Sequence, residues 1–218
     1  TAVGPGDPLT LQVACSLAWP SPIEVDRLKI IAEAYQAGRA NPMVGEAHPA
    51  LLRAQALYGY HLARSGQPDT ALAMVRSAIA TARRHHGAGR PTEEVLTAAQ
   101  LAFHGARQLD ASFEAAREAH RLAAARHAGG EPVVGLRAMN LLSAMIDTRR
   151  VDVSDTLIAT NGGLLENRRM REAARLLSQS MQASVLLLKG RTVEAEAMLG
   201  EGVAGLEESS IHTHFNAR

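Results

Sequence analysis

Apolar residues along most of the chain recur at the three- and four-residue spacing of amphipathic helices. In the stretch from 23 to 35, Leu28, Ile31 and Tyr35 lie on one such face. Polar and turn-forming residues interrupt the pattern at regular intervals, and each interruption predicts the end of one helix and the start of the next. The pattern predicts two N-terminal helices, 9–19 and about 21–38, followed by the helix pairs 48–65 with 69–86, 92–108 with 110–127, 132–148 with 152–166, and 168–189 with 192–208.

The helix pairs share one register of small and bulky side chains, which is set by residues 59–78. In that stretch a helix ends at Gly66, and a new helix opens after the turn 67–69. The equivalent bulky positions of the four first helices are Leu62, Phe103, Met145 and Leu186. The equivalent small positions of the second helices are Ala71, Ser112, Ser154 and Ala195. Successive copies are 41, 42 and 41 residues apart, so the sequence predicts a stack of similar helical hairpins.

Small side chains where two helices meet let the helices approach closely, and this seam resembles that of tetratricopeptide (TPR) repeats. The period is longer than the TPR length of about 34 residues, and HEAT-like packing is the alternative. We expect an all-α fold, an α-solenoid of about five antiparallel helix pairs wound as a TPR-like right-handed superhelix.

The same pattern predicts the organisation of the chain. We expect 1–8, rich in glycine and proline, to be a disordered lead-in, and 9–47 to form an N-terminal helix pair. TPR-like repeats then occupy 48–210, and 211–218 reads as the truncated start of a further helix. Gly162 and Gly163 predict a bend within the helix that they interrupt. A chain that starts at Thr1 and ends in this way is expected to be a fragment of a larger protein.

Composition restricts the classes of partner. Apolar residues make up 46% and aromatic residues only 3% of the chain, which favours close-packed helices rich in Ala and Leu. The 23 basic and 22 acidic residues leave a net charge of +1, so we expect no direct contact with nucleic acid and no association with a membrane. The single Cys15 lies in an apolar run and predicts a small core residue in a reducing, cytoplasmic protein.

The polar residues form no complete catalytic or metal-binding pattern in the sequence. Nine histidines are present, but no cysteine or acidic residue completes a ligand set, and His86 and His127 lie where helices end and a protonated ring is favourable. No nucleophile turn follows a predicted strand. We therefore expect no metal site, no cofactor and no enzymatic activity. An enzyme built on a helical toroid, with His104 as acid and base, is an alternative.

A concave surface lined by the first helix of each pair is the candidate binding site. Stepping away from the seam predicts that Arg53, Tyr60 and Arg64 form its basic end. The remaining predicted positions are Glu94, Thr97, His104, Met139, Ser143, Asp147, Ser180, Ser184 and Leu187. Of these, we expect Arg53, Tyr60, Arg64, His104, Met139 and Ser143 to bind a ligand or peptide. The alternative for Met139 and Leu187 is packing against a neighbouring helix.

Residues 68–215 also resemble the helical region that follows the ATPase module in large bacterial STAND-type transcriptional regulators. These regulators carry a LuxR-like or SARP-like DNA-binding domain, and the MalT type is an example. The resemblance rests on PDTALAMVRSAIATARRHHG, LDASFEAAREAHRLAAARHAGG, LRAMNLLSAMIDTRRVDVSDTLIAT and LLLKGRTVEAEAMLGEG. It implies an arm that binds an inducer or partner protein and restrains the ATPase. Neither a phosphate-binding loop nor a helix-turn-helix is present in this sequence.

These observations lead to one functional hypothesis and its alternatives. We expect a non-catalytic sensor or protein-interaction domain of a bacterial transcriptional regulator, which binds an effector small molecule or a partner protein in its groove. A free-standing TPR adaptor that binds a partner peptide is the alternative. A truncated solenoid exposes apolar faces at its ends, and association of these faces would give a homo-oligomer.

Overall fold

The computed structural model describes residues 4, 6–19, 26–127, 131–151, 157 and 172–200, without the side chains of 172–178. The secondary structure assigned within these ranges is helical, and the chain divides into two units, Thr1–Arg126 and His127–Arg218. The first unit contains α1 (Pro8–Ala18), α2 (Arg27–Ala40), α3 (Pro49–Arg64), α4 (Pro68–His86), α5 (Arg90–Gly105) and α6 (Leu109–Arg126). The second contains α7 (Pro132–Thr148), α8 (Glu172–Leu188) and a helical stretch over 192–200.

The predicted all-α repeat fold is confirmed, and five of the ten predicted helices begin and end within two residues of their observed bounds. Helix α5 ends at Gly105, three residues before its predicted end at 108. The second helix extends to Ala40, two residues past its predicted end at Gly38. It begins at Arg27, after the N-cap Asp26, and not at about residue 21 as predicted. Except for Leu157, the predicted partner of α7 lies outside the described residues, as do the Gly162–Gly163 bend and the tail 211–218. Five of the helices have proline within their first two positions, where the missing N–H removes no helical hydrogen bond.

The described part of the N-terminal lead-in differs from the disorder expected for 1–8. The Asp7 carboxylate accepts a hydrogen bond of 2.8 Å from the Leu9 N–H and so caps α1. Asn41 donates a side-chain hydrogen bond of 3.0 Å to the Gly6 carbonyl. Gly6 lies so close to α2 that an added Cβ would be 2.3 Å from the Ala37 carbonyl oxygen. These contacts hold 6–8 against the first helix pair.

The predicted seam between paired helices is buried wherever the structure describes it. Its bulky positions, Leu62, Phe103, Met145 and Leu186, are at most 7% exposed. Small Ala71 and Ala195 are fully buried, and Ser112 is 2% exposed. In the α3–α4 hairpin, a Cβ added at Gly59 would lie 2.6 Å from Val75 Cγ2, so only glycine allows this approach of the two helices.

The turns inside the hairpins share a backbone conformation that the sequence spacing only implied. Gly66, Arg107, Arg149 and Gly190 occupy equivalent positions, and each has a positive φ, between 55° and 85°. After each of them, the next N–H bonds back to the carbonyl of the bulky seam residue, as from Gln67 to Leu62 at 3.0 Å. This pattern closes a Schellman motif, in which a left-handed residue ends the helix. Two of the four copies therefore place arginine in a conformation that favours glycine.

We predict that Arg107→Gly raises the free energy of unfolding by about 1 kcal/mol, because glycine adopts the left-handed conformation without the steric cost of a Cβ. Gly66→Ala should lower it by a similar amount, since a Cβ there meets no atom within 4 Å and only the backbone is strained. Urea unfolding followed by circular dichroism measures both changes. Equal stabilities of the two variants and the native chain would contradict this account of the turns.

One buried ion pair joins the start of α5 to the end of α6. The side chain of Glu93 is 2% exposed and forms a salt bridge with Arg126, whose side chain is 25% exposed. Arg126 also donates a hydrogen bond of 3.2 Å to the Leu122 carbonyl. A carboxylate this deeply buried is tolerated only when it is paired, so Arg126 compensates the burial of Glu93.

We predict that Arg126→Met lowers the free energy of unfolding by about 2–3 kcal/mol, because it leaves the Glu93 carboxylate buried without this cation. The double variant Glu93→Met with Arg126→Met should recover most of that loss, since it removes both charges. Thermal or urea unfolding of the single and double variants tests this. A double variant that is less stable than the single one would rule out the proposed compensation.

Candidate functional site

Three successive first helices, α1, α3 and α5, pack side by side and form what we call the first-helix face. A cavity of about 470 Å³ opens where they meet, and we call it the first-helix cavity. Arg53 of α3 and the pair Arg90 and Glu94 of α5 supply its charges. The other lining residues are Gln12, Cys15, Ser16, Pro49, Ala50 and Pro91. Polar groups from three separate helices thus converge on one small space.

The charged groups of the first-helix cavity differ in their partners. Arg90 Nε donates a hydrogen bond of 2.7 Å to Glu94 Oε1, so these two charges largely neutralise each other. The guanidinium carbon of Arg53 lies 5.9 Å from the centroid of the Trp19 ring. Among the residues that the structure describes, no carboxylate forms a salt bridge with Arg53. Arg53 is therefore the cation of this cavity that can receive an acidic group from a ligand.

Cys15 confirms the expectation of a buried core cysteine. Burial, partly offset by the charge of Arg53, raises the pKa of its thiol to about 11. At neutral pH the group is then a thiol and a poor nucleophile, because the thiolate is the reactive form. Its role in the cavity is to form part of the wall.

The structure places only part of the predicted concave surface on the first-helix cavity. Arg53 and Glu94 line the cavity, whereas Tyr60 and Thr97 are 7% and 2% exposed and belong to the core. Met139, in the second unit, is 6% exposed and is also a core residue. These three positions correct the predicted groove: a helix inside a stack packs against its own partner and against neighbouring helices, which leaves only a narrow exposed stripe.

The other predicted residues lie on the surface but outside the first-helix cavity. Arg64 is exposed and donates a hydrogen bond of 2.9 Å to the Tyr60 hydroxyl oxygen. His104 is exposed in the last turn of α5, and Ser143 is half-buried on α7. Asp147, Ser180 and Leu187 are exposed, and half-buried Ser184 donates to the Ser180 carbonyl. Binding by these side chains stays a prediction.

A larger opening lies on the other side of α5, between the second helices α4 and α6, and we call it the second-helix groove. It has a volume of about 960 Å³, with walls from α4 and α6 and with Leu96 and Phe103 of α5 at its floor. No site was predicted here from the sequence. The available signal was the spacing of Arg76, Ile79, Ala80 and Arg83, which places an arginine at each end of one apolar helix face.

The candidate metal ligands are dispersed. Within the described residues, no three His, Cys, Asp or Glu side chains form a group able to hold a metal ion. His86 Nε2 lies 2.7 Å from the Ala47 carbonyl oxygen, and His127 Nδ1 lies 2.6 Å from Glu131 Oε2. Among the described helices, none has the length and apolar character needed to cross a membrane.

Solved structures with this arrangement of helices include two of nearly identical TPR-like repeats from a Podosopora anserina protein described as a kinesin light chain, one of them a point variant. They superpose with TM-scores of 0.68 and 0.67 over 93% of this chain and 97% of theirs, at 14% and 15% sequence identity. The chain has a TPR-like repeat fold. No protein-family model matches it, and no curated protein matches it in sequence.

His61 connects α3 to the end of α1. Its Nε2 lies 2.8 Å from the carbonyl oxygen of Ala18, the last residue of α1. Burial lowers the pKa of His61, the hydrogen bond to Ala18 opposes that shift, and the charges of Arg27 and Arg64 add to it. Because the folded protein holds this ring neutral, the unfolded chain takes up its proton first as the pH falls.

We predict that stability contributed by a neutral His61 is complete above the unfolded pKa of about 6.5 and is lost as the pH falls below it, towards the lowered folded value. His61→Gln, whose amide can donate to the same carbonyl, should lose less stability than the native chain between pH 7 and pH 5. Urea midpoints at the two pH values measure the loss. His85→Gln, at an exposed ring on α4, serves as the control. If His61→Gln loses as much stability as the native chain between pH 7 and pH 5, the prediction is wrong.

Proposed function

We propose that this chain is a non-catalytic protein-interaction and sensor module of a bacterial transcriptional regulator, and that it binds an acidic group of its effector or partner at the first-helix cavity. The observation that carries the proposal is the position of Arg53, a half-buried cation in the cavity where α1, α3 and α5 meet. The TPR-like fold and the resemblance of 68–215 to STAND-type regulators support this role.

The cavity suits recognition of a small charged group better than of a large apolar ligand. Its volume of about 470 Å³ is within the usual range for ligand pockets, but polar side chains supply much of its lining. Arg90 and Glu94 are already paired, whereas Arg53 is held in place by the Trp19 ring. A guanidinium fixed in this way can bind a carboxylate or phosphate through two parallel hydrogen bonds.

The regulator context determines what binding would do. In the family that the sequence resembles, the helical arm binds an inducer or partner protein, and the ATPase and DNA-binding activities belong to other parts of the protein. We infer that this chain likewise supplies recognition rather than chemistry. Occupation of the first-helix cavity would then alter how the arm restrains its ATPase.

A thermal-shift screen of the full chain against small organic acids, organic phosphates and acidic peptides tests the proposal. A ligand at one hundred times its dissociation constant adds about 2.7 kcal/mol of stability, which raises the unfolding midpoint by several degrees. We predict that Arg53→Ala abolishes the shift given by such a ligand.

Arg39→Ala is the matched control, because Arg39 also lies 5.9 Å from an aromatic centroid, that of Tyr35, and does not line the cavity. This variant should keep the full ligand-induced shift. Hits that stabilise Arg53→Ala as much as the native chain would move the binding site away from this cavity. If no compound or peptide of the panel raises the unfolding midpoint, the chain is not a sensor of acidic effectors.

A further inference from the structure

The second-helix groove has an apolar floor and low walls. Leu96 and Phe103 of α5 are 1% and 5% exposed and close its base, with Ile79 of α4 beside them at 8%. Four alanines line its walls, Ala80 on α4 and Ala111, Ala115 and Ala124 on α6. Small side chains in these positions leave room for the backbone of another helix to approach closely.

The groove follows α4 for about two helical turns. Its α4 wall extends from Arg76 to Arg83, seven residues apart, which corresponds to about 10 Å along the helix axis. Its α6 wall contains Ala111, Ala115 and Glu118, which lie on one helix face. An elongated apolar channel between two helices is the shape used in helix-in-groove recognition.

Positive charge predominates along the rim of the groove. Four arginines and two glutamates line it. Arg83 forms a salt bridge across the groove with Glu118, and Arg117 pairs with Glu114 along α6. The two other arginines, Arg76 and Arg121, are exposed, and neither forms an ion pair with any residue in the described ranges.

We propose that the second-helix groove binds an amphipathic helix of a partner protein, with the helix's apolar ridge on the floor and its acidic side chains beside Arg76 and Arg121. Charge complementarity selects acidic flanks, because a basic helix would add like charge to a rim that already carries excess cation. The apolar floor and the glutamates on the walls offer little to a nucleic-acid backbone, which favours a protein partner.

This interaction is separate from the proposed function. The first-helix cavity is lined by α1, α3 and the start of α5, and no residue lines both openings. Loss of effector binding in Arg53→Ala therefore does not bear on the groove. Variants of α4 and α6 likewise leave the lining of the cavity unchanged.

Two sets of synthetic helical peptides provide the probe. Both vary Leu, Ile, Phe and Met at four positions spaced i, i+3, i+4 and i+7, and one set carries Glu and the other Lys at the flanking positions. The full chain is incubated with both sets, and the tightest peptide is titrated by fluorescence anisotropy. We expect binders from the Glu set, at least about tenfold tighter than their Lys counterparts and weakened by added salt.

Three variants then locate the site on the protein. Arg76→Glu combined with Arg121→Glu should weaken the best acidic peptide by about tenfold or more, because attraction becomes repulsion at both rims. Ala80→Tyr should weaken it comparably by filling the channel while keeping every charge. Arg84→Glu, an exposed position on α4 that does not line the groove, should leave the affinity unchanged. Circular dichroism and unfolding midpoints establish that each variant is folded.

Several results would overturn the assignment. They are equal binding of the Glu and Lys sets, no binder in the Glu set, or full affinity in the Ala80→Tyr variant. Sedimentation of the native chain tests self-association, and a dimer that is lost in Ala80→Tyr would assign the groove to a second copy of this chain instead. If Arg76→Glu destabilises the fold, the milder Arg76→Ala replaces it, with a smaller loss of affinity expected.

Discussion

The close approach of the two helices within a hairpin is the constraint on which the rest of the structure depends. At the α3–α4 crossing this approach requires Gly59, because a side chain of any size would collide with Val75 and with the backbone at Ala71. The same crossing in the α5–α6 hairpin is closed differently, by a hydrogen bond of 3.1 Å from the Ser112 hydroxyl to the Gln100 carbonyl. Tight hairpins of similar length can then stack, and their outer sides become the surfaces on which binding is possible.

Helix α5 illustrates how stacking separates these surfaces. Its first turns line the first-helix cavity through Arg90 and Glu94, while Leu96 and Phe103 face the second-helix groove. The ion pair of Glu93 with Arg126 joins its beginning to the end of α6. One helix therefore contributes a polar wall to one opening and an apolar floor to the other, and its position is fixed by the core that it shares with its neighbours.

Most of the described helices and their register could be predicted from the sequence, because the same pattern of small and bulky residues recurs in each hairpin. Leu62, Phe103, Met145 and Leu186 occupy the seam as predicted. The left-handed conformation of Arg107 and Arg149 was not predictable from residue type, since arginine has no preference for it. That conformation follows from equivalence to Gly66 and Gly190, where glycine shows what the turn requires.

The candidate sites were less predictable for a geometric reason. Position relative to the seam tells which side of a helix faces its hairpin partner, but it does not show that Tyr60, Thr97 and Met139 are buried as well. Arg53 and Glu94 could be named because both belong to first helices, yet their meeting at one cavity depends on how α3 packs against α5. The second-helix groove depends on the gap between α4 and α6, and no local pattern specifies that distance.

Cys15 gives the protein an internal reporter of its own opening. It is the only cysteine of the chain, its side chain is fully buried, and its pKa of about 11 keeps it protonated at neutral pH. A thiol-specific reagent can therefore modify it only in molecules in which a local motion, of α1 or of the cavity wall, has exposed the sulfur. The labelling rate, compared with that of an unfolded chain, measures the free energy of that local exposure without any substitution.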